Sequence, residues 1–310
     1  MSHGHQYFYF IGVSTVQSSI NQVFPLWMDV LDHSHVQLLG IDHPINDAPD
    51  AYRSTVKKIK EDSQALGGLV TTHKLDLYAA TSNLFDYLDR YAQITQELSC
   101  ISKRDGQLRG HAKDPITAGL SLEAIIGENY FGQTGGDVLC LGAGGAAQAT
   151  LLYLMNRPNP ADRPKTFIAV DITEERLTHL QAMVQAQKSD IEVQYFCNTH
   201  PEDNDRLLSN LPDHSVVINA TGMGKDIPGS PITDSAIFPK NGIVWEFNYR
   251  GAREFLHQAS RQIELRDLQV EEGWVYFIHG WTQVIFEVLN LQMTPSLFAE
   301  LDRVAASVRK

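Results

Sequence analysis

The sequence predicts an α/β protein of two domains, one of them a doubly wound parallel sheet. Three observations carry this. Apolar runs of strand length alternate with helix-forming segments along most of the 310 residues, the pattern left by parallel strands connected through helices. The stretch Asp137–Ala147 passes from a short apolar run through clustered glycines into helix formers. A further apolar run, Thr166–Val170, follows it and ends on an aspartate.

The glycine stretch organises the second domain. Val138–Leu141 reads as a buried strand, Gly142, Gly144 and Gly145 as a turn, and Ala146–Leu154 as a helix. In that order they make a Rossmann-like dinucleotide-binding unit. Gly142 permits a tight turn, Gly144 lets the backbone approach a pyrophosphate, and the helix N-terminus attracts its charge. The pattern is Gly-x-Gly-Gly-x-Ala, and Ala147 is still small enough for close helix–strand packing. At the end of the next strand, the Asp171 carboxylate would accept hydrogen bonds from the adenosine ribose and repel a 2′-phosphate. It stands 29 residues beyond Gly142, against roughly 20 in the usual unit. The Pro-rich loop Asn156–Pro164 accounts for the excess. NAD is therefore the expected cofactor, ahead of NADP.

Composition narrows the class. A hydrophobic content of 43% and a charged content of 20% describe a soluble globular protein of two ordinary domains. The formal net charge of −12 argues against nucleic acid or an anionic membrane as partner. No apolar run reaches membrane-spanning length, and Met1–Gln6 has neither the basic start nor the apolar core of a signal peptide. A cytoplasmic location is expected. Cys100, Cys140 and Cys197 are dispersed and odd in number, which reads as three reduced core thiols. His3/His5 and His33/His35 are close pairs, but no set of His, Cys and Asp has metal-ligand spacing, so no metal is expected.

The elements follow in order. Tyr7–Gly12 is a first strand, Val13–Asn21 a polar loop, and Val23–Leu31 a helix. Val36–Ile41 is a second strand and Ala51–Ala65 a helix. Gly67–Lys74 is a strand running into a loop, with helix from Leu75 that continues over Leu84–Tyr91. Asp105-Gly106 turns a hairpin between Ser99–Arg104 and Gln107–Gly110. Ile116–Ile126 is helical. Beyond Asp171 come helix Glu174–Lys188, strand Glu192–Phe196, helix Glu202–Asn210, and strand Ser215–Ala220 running into Thr221–Gly224. Strand Asn241–Asn248 and helices Gly251–Arg261, Glu271–Asn290 and Pro295–Val308 complete the chain.

Six segments together resemble the shikimate/quinate dehydrogenase family. They are Gly68–Lys74, Gly110–Asp114, Gly142–Ala147, Asn219–Gly222, Trp245–Tyr249 and Glu272–Gly273, and their order and spacing say more than any one of them. The resemblance implies a substrate-binding and catalytic domain over 1–115 and a Rossmann NAD(P)-binding domain over 116–265. It implies C-terminal helices over 266–310 that return to pack on the first domain. It also implies a Lys–Asp pair, Lys74 and Asp114, that handles the proton while a hydride moves between nicotinamide and a ring carbon. A free lysine, with a pKa of about 10.4, is a poor base at neutral pH. Desolvation would lower it, and a neighbouring carboxylate would hold the ammonium and partly reverse that shift. Asp114 before Pro115 also suits a helix N-cap.

The resemblance places the cofactor on Gly142, Ala143, Gly144, Gly145, Ala146, Asp171, Asn219, Ala220, Thr221, Gly222 and Gly273. It places the substrate on Ser18, Ser19, Thr72, Ser99 and Tyr249, with His279, Gly280, Trp281 or Gln283 in the place of a family glutamine. Several family positions are changed. Gly68, Val70 and Thr72 stand where the family has Asn, Thr and Pro, and Ala112-Lys113 stands where it has Asn-Thr. A second family Asn falls on Ser99 or Cys100, and the family Ser-x-Ser becomes Ser18-Ser19-Ile20. His73 and His111 either replace lost hydrogen bonds or lie exposed in loops, and Lys113 either meets a substrate carboxylate or is solvated.

A buried polar site rejects a substrate that leaves its groups unpaired, so these changes predict a cyclic polyol, hydroxy acid or related ketone other than plain shikimate. The alternative is a catalytically silent NAD-binding sensor or partner protein derived from the family. A third reading is an unrelated two-domain dehydrogenase acting on folate-linked one-carbon units. The family includes monomers and dimers, and both states stay open.

Overall fold

Two six-stranded sheets divide the chain into two units, residues 1–113 with 280–310 and residues 114–279. A computed structural model describes residues 5–225 and 227–309. His3 lies outside the described residues.

The first unit is built on β1 (Gln6–Gly12), α1 (Ile20–Val30), β2 (Val36–Asp42), α2 (Pro49–Glu61), β3 (Ala65–Val70) and α3 (Lys74–Thr81). β4 (Tyr87–Leu88), α4 (Arg90–Thr95), β5 (Cys100–Arg104) and β6 (Gln107–His111) follow. The sheet order is β2-β1-β3-β5-β6-β4, with β1, β2 and β3 parallel and β5 antiparallel to both neighbours. β1 is apolar on both faces because both are covered. Phe8 and Phe10 meet Phe24 of α1 and Trp281, while Tyr9 and Ile11 pack with Tyr52, Val56 and Ile59 of α2. Burying each such side chain contributes on the order of 2 kcal/mol. The chain leaves β1 towards β2 on one side, and β3 lies on the other. A crevice is thus expected at the C-terminal ends of β1 and β3.

The second unit begins with α5 (Asp114–Ile126) and α6 (Tyr130–Thr134). Its strand–helix units are β7 (Val138–Leu141), α7 (Gly145–Met155), β8 (Thr166–Asp171), α8 (Glu174–Gln185), β9 (Glu192–Cys197) and α9 (Pro201–Ser209). β10 (Val216–Asn219), β11 (Ile243–Glu246), α10 (Glu254–Ser260), α11 (Ile263–Arg266) and β12 (Gln269–Glu271) complete its sheet. α12 (Trp274–Leu289) starts in this unit and ends in the first, and α13 (Pro295–Ala306) docks on α1, where Trp27 Nε1 donates to Leu301 O at 2.8 Å. All six strands are parallel in the order β12-β11-β10-β7-β8-β9. The strand order reverses between β7 and β10, which is where such sheets bind ligands, beyond the strands' carboxyl ends. Among the described residues no helix is long and apolar enough to cross a membrane.

The α/β architecture matches expectation, and so do most elements, within a few residues. Leu84–Tyr91 is not one continuing helix: Tyr87–Leu88 is a strand, and α4 starts only at Arg90. Tyr87 and Leu88 pair with Arg109 and Gly110, and the Asp86 and Asp89 carboxylates take backbone N–H groups of Leu108 and Ala92. Tertiary pairing overrides helix propensity there. The helix expected from Glu271 starts at Trp274, because Gln269–Glu271 pairs with β11 as an edge strand. α10 starts at Glu254 rather than Gly251, since Gly251 and Arg253 have φ of 88° and 50°. α1 starts earlier than Val23, at Ile20.

Gly142 has φ of 102°, and a Cβ built on it would lie 2.7 Å from Ala220 O. Gly142→Ala is expected to destabilise the second unit by about 2–4 kcal/mol through backbone strain and this collision. Urea unfolding followed by circular dichroism measures it. A loss below about 0.5 kcal/mol would contradict the tight turn.

Candidate active site

The glycine turn is fixed by hydrogen bonds. Gly142 N donates to Val170 O at 2.7 Å, and Ala143 N donates to Asp171 Oδ2 at 2.9 Å. Asp171 Oδ1 accepts from Thr173 N at 3.1 Å and Thr173 Oγ1 at 3.0 Å. Asp171 is therefore not a solvated strand end: it is 5% exposed and ties β8 to the turn between β7 and α7. Gly144 caps α7, and a Cβ there would meet nothing within 4 Å, so the space over the helix N-terminus is open to an anionic ligand. Gly145 and Ala146 open the helix. These residues fit a dinucleotide. Arg176 Nη1 lies 3.7 Å from Asp171 Oδ2 and is well exposed.

On the other side of the strand-order reversal, Asn219 ends β10 and Glu246 ends β11. Glu246 is fully buried. Asn219 Nδ2 donates to its Oε2 at 2.7 Å and Asn248 N to its Oε1 at 2.8 Å. Asn219 Oδ1 accepts from Thr221 N at 3.1 Å and Thr221 Oγ1 at 2.7 Å, and Thr221 Oγ1 accepts from Met223 N at 3.1 Å. Asn248 Nδ2 donates to Met223 O at 2.9 Å. Burial pushes the Glu246 carboxyl up to about 7, against the pull of the Asn248 and Asn219 donors. Above that pH the ionised form is held at a cost of about 3 kcal/mol. The sequence reading did not single out Glu246. Its signal was a lone charge ending the apolar strand Ile243–Glu246.

Of the other residues expected around a ligand in this unit, Gly273 precedes α12. Tyr249 packs against Phe277 and Trp274, with ring centroids at 4.6 and 6.1 Å. His279 is buried in α12, and burial lowers it to about 4, which keeps it neutral at physiological pH. Asp114 is the first residue of α5 and is buried.

In the first unit Lys74 opens α3, directly after the turn that leaves β3, and is half-buried. Leu98 N donates to Lys74 O at 3.1 Å, which brings the segment before β5 beside it. Ser99 is buried, and its hydroxyl accepts Lys113 N at 2.7 Å. Ser18 and Ser19 precede α1 and are half-buried, Thr72 is exposed, and Gln283 is half-buried in α12. Lys74 and Ser99 are thus adjacent through backbone, whereas Lys74 and Asp114 belong to different units.

The changed family positions have structural reasons. A Cβ on Gly68 would lie 2.2 Å from Tyr9 O, so β3 packs there too tightly for any side chain. Val70 is buried in the core with Tyr52. His73 and His111 are not exposed in loops. His73 shares a 3.0 Å hydrogen bond with Tyr52 OH, and His111 Nε2 one of 3.0 Å with Ser102 Oγ. Lys113 is not solvated either: its Nζ donates to Glu287 Oε2 at 2.6 Å. Cys100 and Cys140 are core thiols, but Cys197, at the end of edge strand β9, is exposed.

No family model matches the chain. The shikimate dehydrogenase (NADP(+)) of Caulobacter vibrioides is 26% identical over 235 residues, 74% of this chain and 75% of its own. A shikimate dehydrogenase solved with NADP+ superposes with a TM-score of 0.74 at 17% identity, covering 99% of this chain and 96% of that one. The quinate dehydrogenase of Corynebacterium glutamicum, solved with NAD, superposes with a TM-score of 0.72 at 16% identity, covering 98% of this chain and 100% of that one. At such identities the superpositions speak for the fold. The chain is similar in sequence to shikimate dehydrogenases and has the fold of shikimate and quinate dehydrogenases.

Proposed function

We propose that the protein is an NAD-dependent oxidoreductase acting on a secondary alcohol, or the corresponding ketone, of a polyhydroxylated cyclic substrate. The observation that carries this is the glycine turn anchored through Ala143 N–H to the buried Asp171, at the point where the strand order reverses. In this reading the first unit holds the substrate and the second holds the cofactor. Ala143, Gly144, Gly145 and Ala146 take the pyrophosphate at the start of α7. Asp171 takes the adenosine ribose, and the Asn219–Gly222 segment with Gly273 takes the nicotinamide side. When bound, the dinucleotide supplies the hydride acceptor or donor.

Oxidising an alcohol also releases a proton. Lys74 Nζ and the Asp114 carboxylate are the proposed groups that hold and pass it. Ser18, Ser19, Thr72, Ser99, Tyr249, His279 and Gln283 are the proposed substrate contacts. The altered positions Gly68 and Val70 place no polar group in the crevice, which favours a hydroxyl pattern different from that of shikimate.

NADP is the second reading. Arg176, exposed and 3.7 Å from Asp171, is placed to meet a 2′-phosphate, and the Caulobacter vibrioides relative carries NADP(+) in its name.

Lys74→Ala is expected to lower turnover by about a thousandfold or more while cofactor affinity stays within twofold. Stopped-flow or steady-state rates beside calorimetric cofactor binding test this, and turnover near the wild-type rate would remove Lys74 from the mechanism. Asp171→Asn removes the negative charge and keeps one acceptor oxygen, which can serve Ala143 N or the Thr173 donors but not both. It is expected to raise NADP affinity relative to NAD by about tenfold. Titration of both cofactors checks it, and an unchanged ratio would assign selectivity elsewhere.

A further inference from the structure

The hydrogen bonds around Glu246 form a closed ring. Glu246 Oε2 accepts from Asn219, Asn219 accepts from Thr221, Thr221 accepts from Met223 N, Met223 O accepts from Asn248, and Asn248 N donates to Glu246 Oε1. Every link lies between 2.7 and 3.1 Å. The ring has one ionisable member, and it determines both amide orientations. Asn219 must turn its nitrogen to the carboxylate because its oxygen receives both Thr221 donors. Asn248 must turn its nitrogen to Met223 O.

The ring also draws neighbouring backbone together. Arg253 N donates to Gly224 O at 3.0 Å, and a Cβ on Gly251 would lie 2.2 Å from the same oxygen. A Cβ on Gly273 would lie 1.9 Å from Phe247 O. Three segments, Asn219–Gly224, Glu246–Arg253 and Glu272–Gly273, thus interlock around one buried carboxylate. Two of them carry the residues proposed above for the nicotinamide side.

We propose that Glu246 is a positioning residue for the nicotinamide half of the cofactor: its carboxylate closes the ring that sets the Ala220–Met223 backbone. The proposal rests on the dinucleotide reading of the site. Its physical basis is donor matching. Both carboxylate oxygens face N–H donors, so only a group that accepts on both sides satisfies the ring. A fully buried carboxyl raised towards neutrality by burial is costly to keep ionised, and the two donors are what offset that cost.

Glu246→Gln tests this, because glutamine accepts on one side only. Its Oε1 can serve Asn248 N, but its amide nitrogen then opposes Asn219 Nδ2. Asn219 must flip, and the bonds to Thr221 are lost. The double variant Asn219→Asp/Glu246→Gln reverses the pair. Gln at 246 then donates to Asp at 219, which still accepts both Thr221 donors.

Calorimetric titration with NADH, NADPH and ADP-ribose, on chains checked for folding by circular dichroism, separates the outcomes. ADP-ribose lacks only the nicotinamide ring and reports the rest of the dinucleotide. Glu246→Gln is expected to weaken binding of the preferred dinucleotide about tenfold and leave ADP-ribose within twofold. The fully buried Asn219 side chain bonds within the ring, so it reaches the cofactor only through the backbone it sets, and the double variant is expected to restore dinucleotide binding to within about threefold. An unchanged ratio of dinucleotide to ADP-ribose affinity in Glu246→Gln overturns the proposal, as does equal weakening of both. If Glu246→Gln does not fold, the double variant decides. A wild-type ratio supports the proposal, and a lowered ratio or an unfolded chain overturns it. A wild-type protein that binds none of the three ligands removes the dinucleotide reading and this inference together. Wild-type binding with an unchanged ratio removes only the inference.

Discussion

The bond from Ala143 N–H to Asp171 Oδ2 joins the turn after β7 to the end of β8. A parallel sheet leaves its strand ends and helix starts on one edge, with unsatisfied N–H groups at each helix N-terminus. Such an edge binds a ligand only if its loops hold one shape. Asp171 supplies that hold on the β8 side, through Ala143 and Thr173. Gly142 makes it possible, because its backbone passes so close to Ala220 O that a Cβ would not fit. On the far side of the strand-order reversal Glu246 plays the matching part, tying β10 to the loop that follows β11. The sheet edge is therefore framed by two buried carboxylates, each held by hydrogen-bond donors.

The first unit follows a different logic. Its parallel strands β1, β2 and β3 end around Gly12, Asp42 and Val70, and Lys74 starts the helix just beyond. Here buried polar groups pair with one another in two clusters. Tyr52 and His73 form one buried pair, while His43 spans Asp47 and Thr55 at 2.7 and 2.9 Å. Lys113, Arg104 and His111 surround Glu287 on the face of β5 and β6. These groups satisfy one another within the first unit.

Much of this was legible in the sequence, for local reasons. Strand, glycine turn and helix over Val138–Leu154 is a short-range signal, and Asp171 follows from its place at the end of the next apolar run. The hairpin at Asp105-Gly106 is equally local. What escaped depends on distant partners. Tyr87–Leu88 and Gln269–Glu271 become strands only because β6 and β11 offer them an edge. Lys113 reads from sequence as either a substrate contact or a solvated lysine, because its partner Glu287 lies on another element. The burial of His73 and His111, the core role of Val70 and the lack of room at Gly68 likewise arise from packing that no window of sequence contains. Glu246 was the exception, a charge at the end of a buried strand that was legible and went unread.

Under the proposed function this chain couples a nicotinamide dinucleotide to oxidation of a cyclic polyol. The initial rate of NADH or NADPH formation by the wild-type protein with shikimate, quinate and a set of neutral cyclic polyols tests it. Turnover with NAD is expected on at least one polyhydroxylated ring, and faster on another ring than on shikimate. Tight dinucleotide binding with no turnover on any ring would contradict it and leave a cofactor-binding protein without the dehydrogenase reaction.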